Sequence, residues 1–186
     1  YFSPVSYTRA PAGVRPLMNP DPFPGFLMGF NPCKPTSVGN IQISSTDPML
    51  PPKIYSNYLD TEYDKKMMIE GIRLIRRIAN APALNTVIED EIAPGNGIKS
   101  ENDIAKYIRQ KAWSVFHPCS TCRMGNNPNI SVVDPKLRVH GVDNLRVVDA
   151  SIFPTIPTGN INAPSIMVGE NASDIILKDA KNQKGL

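Results

Sequence analysis

Eleven of the nineteen prolines in this 186-residue chain fall within residues 1–53, and that density dictates how the first part can fold. Proline removes a backbone donor, fixes φ and clashes with the preceding helical turn. Neither a helix nor a continuous sheet ladder can therefore run through Asn19-Pro20-Asp21-Pro22-Phe23-Pro24-Gly25, or across Pro48, Pro51 and Pro52. Turns and extended stretches are predicted instead. A disordered tail would be poor in aromatic residues, whereas this segment carries Phe23, Phe26, Leu27, Met28 and Phe30, which want burial. A proline-rich yet aromatic segment points to a chain that wraps another surface, and that surface is expected to belong to residues before Tyr1.

Composition excludes several classes. Twenty Lys and Arg against seventeen Asp and Glu give a net charge of +3, too slight an excess to argue for nucleic acid or an anionic membrane. A mean hydropathy of −0.23, with no long uncharged apolar run, argues against a membrane span. The opening Tyr1-Phe2-Ser3-Pro4 lacks a basic region followed by an apolar core, so no signal peptide is visible and a cytoplasmic location is expected. Three cysteines cannot build a disulfide scaffold.

From Ser37 the pattern becomes readable. Ile41 and Ile43 alternate with Asn40, Gln42 and Ser44, which predicts a short strand with one buried face, and Ser45-Thr46-Asp47-Pro48 reads as a turn. Thr61, with Asp64 three residues on, resembles a capping box. Met68, Ile72, Ile75 and Ala79 follow at helical spacing, while Lys65, Arg73, Arg76 and Arg77 populate a solvated face; Pro82 prevents continuation past Asn80. A second helix is predicted from Ser100, with Asp103 as its box partner and Ile104 and Ile108 buried. Residues 85–99 read as a plain loop. Residues 131–133, 137–139 and 145–148 are β-rich, and a last helix is predicted over residues 163–178 with Pro164 in its first turn. The element count gives an α+β fold.

Two stretches carry chemistry. In the first, Phe116-His117-Pro118-Cys119-Ser120-Thr121-Cys122-Arg123-Met124-Gly125, the Cys-x-x-Cys beside a His invites a metal or thiol-redox reading. A closed zinc site needs four ligands, and the other candidates, Cys33 and His140, stand alone in the sequence. No metal ligand set is therefore assigned, and packed thiols remain the plain alternative. His117 is held by Pro118 in extended geometry and is suited to accept a proton near neutrality. The second stretch ends a strand at Val147-Val148-Asp149 and opens a helix at Gly159-Asn160-Ile161-Asn162-Ala163-Pro164. The orphan N–H groups and positive dipole end of such a helix favour a negatively charged ligand.

At these residues the chain resembles the C-terminal part of the glucose–methanol–choline (GMC) family of FAD-dependent oxidoreductases, which includes choline dehydrogenases and alcohol oxidases. The resemblance begins at Thr36-Ser37-Val38-Gly39-Asn40-Ile41-Gln42-Ile43 and continues through Ser45-Thr46-Asp47-Pro48 and Asn57-Tyr58-Leu59 into both stretches, over roughly residues 35–178. The family's His-Pro-x-x-x-x-Arg-Met-Gly pattern matches residues 117–125, Val-Val-Asp-Ala-Ser matches residues 147–151, and Gly-Asn-x-Asn-x-Pro matches residues 159–164. One departure is mild: Ser37-Val38-Gly39 stands where many relatives have Ser-Arg-Gly. A larger one is the lack of the Rossmann glycine fingerprint that binds the FAD pyrophosphate.

The resemblance implies a mostly antiparallel sheet flanked by helices, divided into a proline-rich segment (1–34) wrapping a missing N-terminal part, a substrate-side domain (35–143), and a C-terminal strand, flavin-contacting loop and helix (144–186) completing a Rossmann-like FAD domain. It implies oxidation of a primary or secondary alcohol by hydride transfer to flavin N5. His117 would take the hydroxyl proton and the Asn160 amide would hold the substrate oxygen. Phe116 would sit against the isoalloxazine, Asp149 and Ala150 would meet the FAD chain, and Asn160, Ile161, Asn162 and Pro164 would lie at the flavin's pyrimidine edge. The expected partners are a small alcohol and the missing FAD-binding portion, without which the fragment is expected to be inactive.

Overall fold

The computed structural model describes residues 1–8 and 19–184; Pro11 and Pro16 of the proline-rich segment lie outside the described residues. Two compact units are formed, one from Tyr1–Pro32 with Lys65–Ala112, the other from Cys33–Asp64 with the chain from Trp113 onward.

In the first unit the proline-rich segment pairs with itself. β1 (Phe2–Ser3) runs antiparallel to β4 (Leu27–Met28), and β2 (Tyr7–Thr8) to β3 (Asn19–Pro20). Each ladder is only two residues long, as proline density demands, and Pro20 sits in a two-stranded ribbon where a missing donor is tolerated. Ser6 N–H donates to Gly25 O at 2.9 Å and Gly29 N–H to Tyr1 O at 3.0 Å, joining the same two arms. Part of the aromatic demand is met inside the unit. The rings of Phe2 and Phe26 lie 5.3 Å apart, and the Phe30 ring occupies the space a Cβ on Gly71 would take, at 1.9 Å.

Gly71 belongs to α1 (Glu62–Ala79), whose buried stripe follows the predicted spacing with Ile69 added beside Ile72. The solvated-face reading fails at Arg76. Its guanidinium forks onto the Glu91 carboxylate, with contacts at 2.8 and 2.9 Å, and donates to Ile98 O at 2.7 Å, closing the loop after the helix. A single turn, α2 (Pro82–Asn85), precedes that loop, with Pro82 at the first helical positions. α3 (Glu101–Lys111) starts where Ser100 Oγ accepts Asp103 N–H at 3.1 Å, and it buries Ile104 and Ile108.

In the second unit β5 (Asn40–Gln42) pairs antiparallel with β6 (Lys53–Tyr55), Ile41 facing Ile54. The expected buried face is absent: Ile41 is 50% and Ile43 90% exposed, because no second layer of described residues covers this three-residue ribbon. The β-rich pieces after Ser131 are also shorter than predicted. They meet only in single bridges, Val133 with Val139, Arg138 with Arg146, and Met124 with Val133. Left-handed backbone at Leu137 (φ 66°) and Asn144 (φ 58°) turns the chain before a ladder can extend. Helices with small antiparallel ribbons therefore replace the expected larger sheet among the described residues. The core of the unit is Val133, Leu137, Ile152, Val168 and Ala172, with Met124, Val139, Val147 and Phe153 packed around it. It joins a 3₁₀ turn (Ala150–Ile152) to α4 (Asn162–Lys184), six residues longer than predicted at its C-terminal end. No helix among the described residues is long and apolar enough to cross a membrane.

Asp64 departs from the capping-box reading in an informative way. Its N–H does donate to Thr61 Oγ1, at 3.2 Å, but its buried carboxylate turns away from the helix and accepts the N–H groups of Thr36 and Ser37, each at 2.8 Å. Ser37 Oγ in return accepts the N–H groups of Asp60 and Thr61. Burial pushes the Asp64 carboxyl up, but the hydrogen bonds from Ser37 and Thr36 outweigh it and hold the group below its ordinary 3.8. A depressed folded-state value stabilises the fold above the unfolded-state value, and the contribution is lost as pH falls through the folded one. Asp64→Ala is expected to cost about 1–3 kcal/mol at neutral pH by leaving two amides unpaired. Urea denaturation should show that gap closing below pH 3.8; a gap independent of pH would contradict the assignment.

Candidate functional site

The two chemical stretches are tied together by backbone. Cys122 N–H donates to Ser151 O at 3.0 Å and Met124 N–H to Ile152 O at 2.8 Å, so the segment following His117 lies directly on the 3₁₀ turn that follows Asp149. On its other side, Arg123 O accepts Val132 N–H at 2.8 Å and Gly125 N–H donates to Val133 O at 2.9 Å. Met124 and Ile152 then enter the same core as Val168 of α4, whose first turn follows Asn160. Residues some forty positions apart thus share one rigid support.

Upstream of this support the backbone is strained. Phe116 has φ 61° and Ser120 φ 76°, values that bulky L-residues seldom adopt. The turn at Phe116 is held by Ser114 Oγ, which accepts its N–H at 3.0 Å and the Tyr58 hydroxyl at 3.3 Å. It presents the Phe116 ring 77% exposed, tilted against Trp113 at 6.5 Å. His117 is half-buried, and its ring makes no hydrogen bond or ion pair among the described residues. Asn160 is exposed and equally uncommitted, following Gly159 at φ 108° with open space beside it. The two side chains do not hydrogen-bond each other.

The remaining expected contacts divide. Asp149 is exposed, but its carboxylate already accepts Ser151 N–H at 2.8 Å, so it shapes the turn as well as facing outward. Ala150 and Pro164 are half-buried, and Asn162 is exposed. Ile161 is buried at 9% exposure, and its carbonyl accepts Ser165 N–H and Oγ–H at 2.9 and 2.7 Å. Its side chain therefore faces the protein, and only its backbone N–H is left for a ligand. Sequence reasoning weighed His140 only as a lone metal-ligand candidate and gave Ser131 no role beyond a β-rich piece, yet the two converge on Gly125 O at 3.0 Å each. Only pairing across the fold reveals them; no local spacing does.

Comparison with known proteins gives the class. The family model described as GMC oxidoreductase matches residues 35–169, and the chain belongs to that family. It is 44% identical over 154 residues to an oxygen-dependent choline dehydrogenase of Vibrio vulnificus, covering 82% of this chain and 28% of that protein. It is 45% identical, over 83% of this chain and 28% of the relative, to an alcohol dehydrogenase [acceptor] of Pseudomonas putida. Among solved structures it is similar to a fungal aryl-alcohol oxidase, with TM-score 0.73 and 31% identity over 79% of this chain and 24% of that one. A formate oxidase of Aspergillus oryzae, whose structure concerns modification of its FAD, aligns with TM-score 0.73 and 32% identity over 77% and 25%. The chain thus spans little more than a quarter of the length of the curated relatives it matches.

Members of the family are FAD-dependent, and the residues present fit a flat, acceptor-rich group. An outward aromatic ring at Phe116 offers a stacking face, Gly159 leaves room for close approach, and the uncommitted amides of Asn160 and Asn162 stand at a helix start. Cys119 and Cys122 are free thiols, half-buried, with Cys119 Sγ 3.2 Å from Ser120 Oγ. No group of three metal-ligating side chains occurs among the described residues. Metal analysis is expected to find no stoichiometric zinc, and Cys119→Ser with Cys122→Ser should leave the fold intact by circular dichroism. Tight zinc that holds the fold together would assign these thiols a ligand role instead.

Proposed function

We propose that this chain forms the substrate-side part of an FAD-dependent oxidoreductase that converts a primary or secondary alcohol to the carbonyl compound. The observation that supports it is the joining of the His117 segment to the Asp149–Asn160 stretch through Cys122 and Met124, within a chain of the GMC family. FAD, when bound, supplies the acceptor for the hydride that leaves the alcohol carbon.

The chain's own residues do the rest. His117 accepts the hydroxyl proton at its ring; with no partner among the described residues, the imidazole keeps a lone pair for the substrate. Asn160 cannot take a proton near neutrality but donates its amide N–H to the alcohol oxygen and orients it. Phe116 shields one face of the site from water. The start of α4 places partial positive charge where negative charge would accumulate, which is stabilisation of the correct sign. The exposed side chains of Ile43, Met49, Ile54 and Tyr58 support a further protein surface as partner, the portion carrying the pyrophosphate-binding loop.

Two outcomes are expected. This chain by itself, lacking that loop, should neither retain FAD nor oxidise alcohols; a stoichiometric flavin absorbance after desalting would contradict this. In the full-length oxidoreductase, His117→Ala should slow flavin reduction by about 10² to 10⁴, the range for a positioned base, and Asn160→Ala by roughly 10² to 10³. Stopped-flow reduction across pH separates the roles. Wild type and Asn160→Ala should need a deprotonated group, and His117→Ala should lose that dependence; an unchanged profile in His117→Ala would transfer the proton to another residue.

A further inference from the structure

His117 has no side-chain hydrogen bond among the described residues, so the direction of its ring depends on the backbone on either side: the turn held by Ser114 before it and the segment that follows. In the backbone that follows, Cys122 and Met124 pair with the 3₁₀ turn, Arg123 with Val132, and Gly125 N–H with Val133. On the Gly125 carbonyl, two side chains converge instead. Ser131 Oγ lies 3.0 Å from it and 2.6 Å from Asn127 O, and His140 Nε2 lies 3.0 Å from it and 3.2 Å from Ser131 Oγ.

Donor bookkeeping resolves the arrangement. Both carbonyls can only accept, and Ser131 has one hydroxyl proton. The short 2.6 Å contact directs that proton to Asn127 O. Gly125 O then has its donor only if His140 carries a proton on Nε2, shared with Ser131 Oγ, which accepts. With Nε2 bare, its lone pair would face Gly125 O, and the one Ser131 hydroxyl proton could not serve both of them, whereas Asn127 O already accepts the N–H groups of Ile130 and Ser131. Ser131 is buried at 9% exposure, so this satisfaction matters energetically. His140 is itself anchored, its N–H donating to Val132 O at 3.0 Å, beside the Val132 N–H that bonds Arg123 O.

We propose that His140 is a positioning residue for this site: as the Nε2–H tautomer it latches the Gly125 carbonyl and fixes the Cys122–Gly125 backbone from which the His117 loop extends. The latch rests on geometry alone; its bearing on turnover rests on the base role proposed for His117. Because protonation of the ring adds a proton at Nδ1 and keeps Nε2–H, the latch holds in both charge states.

Two measurements test this. Long-range ¹H–¹⁵N correlation spectra of the imidazoles in the full chain should show His140 as the Nε2–H tautomer when neutral; an Nδ1–H tautomer overturns the latch and needs neither FAD nor turnover to do so. In the FAD-loaded full-length oxidoreductase, His140→Ala should lower kcat about 10- to 100-fold, as small misplacements of reacting groups do, with the KM for alcohol little changed. His140→Gln, which carries an N–H at similar reach, should restore most of it. Wild-type kcat in folded His140→Ala, or a failure of Gln to rescue while folded, overturns the positioning role. Failure of the base reading itself is reported separately, by His117→Ala.

Discussion

Two backbone hydrogen bonds, Cys122 N–H to Ser151 O and Met124 N–H to Ile152 O, carry the arrangement on which the candidate site depends. They are buried beside the Val133–Leu137–Ile152–Val168–Ala172 core, where an unpaired amide is costly, so the two segments cannot drift apart without exposing both apolar side chains and polar backbone. The pairing is main chain to main chain and so indifferent to which side chains occupy residues 119–121.

Around this support, His117 and Asn160, the residues proposed to meet substrate, make no side-chain hydrogen bond among the described residues, whereas Ser131, His140 and Asp149 each contact a neighbouring backbone group. The division has an electrostatic counterpart. Asp179, half-buried on α4, is held below its ordinary carboxyl range by the Arg146 guanidinium at 2.6 Å, against the opposing effect of burial, with Lys136 adding to the lowering. Asp134 is likewise depressed; burial raises it, but hydrogen bonds from Arg138 and Lys136 outweigh that cost. Charges on this unit are thus paired where they stabilise the bridges between residues 134 and 146.

Membership of the GMC family and the roles of individual residues rest on different grounds. The family follows from matching 135 consecutive residues, 35–169, and from identities above 40% with curated relatives. The roles proposed for His117 and Asn160 come from the family resemblance, and what supports them here is that neither side chain has a hydrogen-bond partner among the described residues. The relatives named here act on choline, other alcohols or formate.

Local pattern alone determined much of this chain. The caps at Thr61 and Ser100, the helical spacing of Ile72, Ile104 and Ile108, and the motif residues 117–125 and 159–164 were legible because each depends on neighbours within four positions or on a fixed motif. Proline density correctly limited the front segment to short extended pieces. What local pattern could not supply was the partner across the fold. The Asp64 carboxylate turning to Thr36 and Ser37, Arg76 closing the loop at Glu91, the exposure of Ile43, and His140 latching Gly125 are all settled by residues nine to twenty-eight positions away, or by the absence of a covering layer among the described residues. A side chain's hydrogen-bonding capacity is written in its identity; which group receives it is decided only when tertiary packing brings that group within 3 Å.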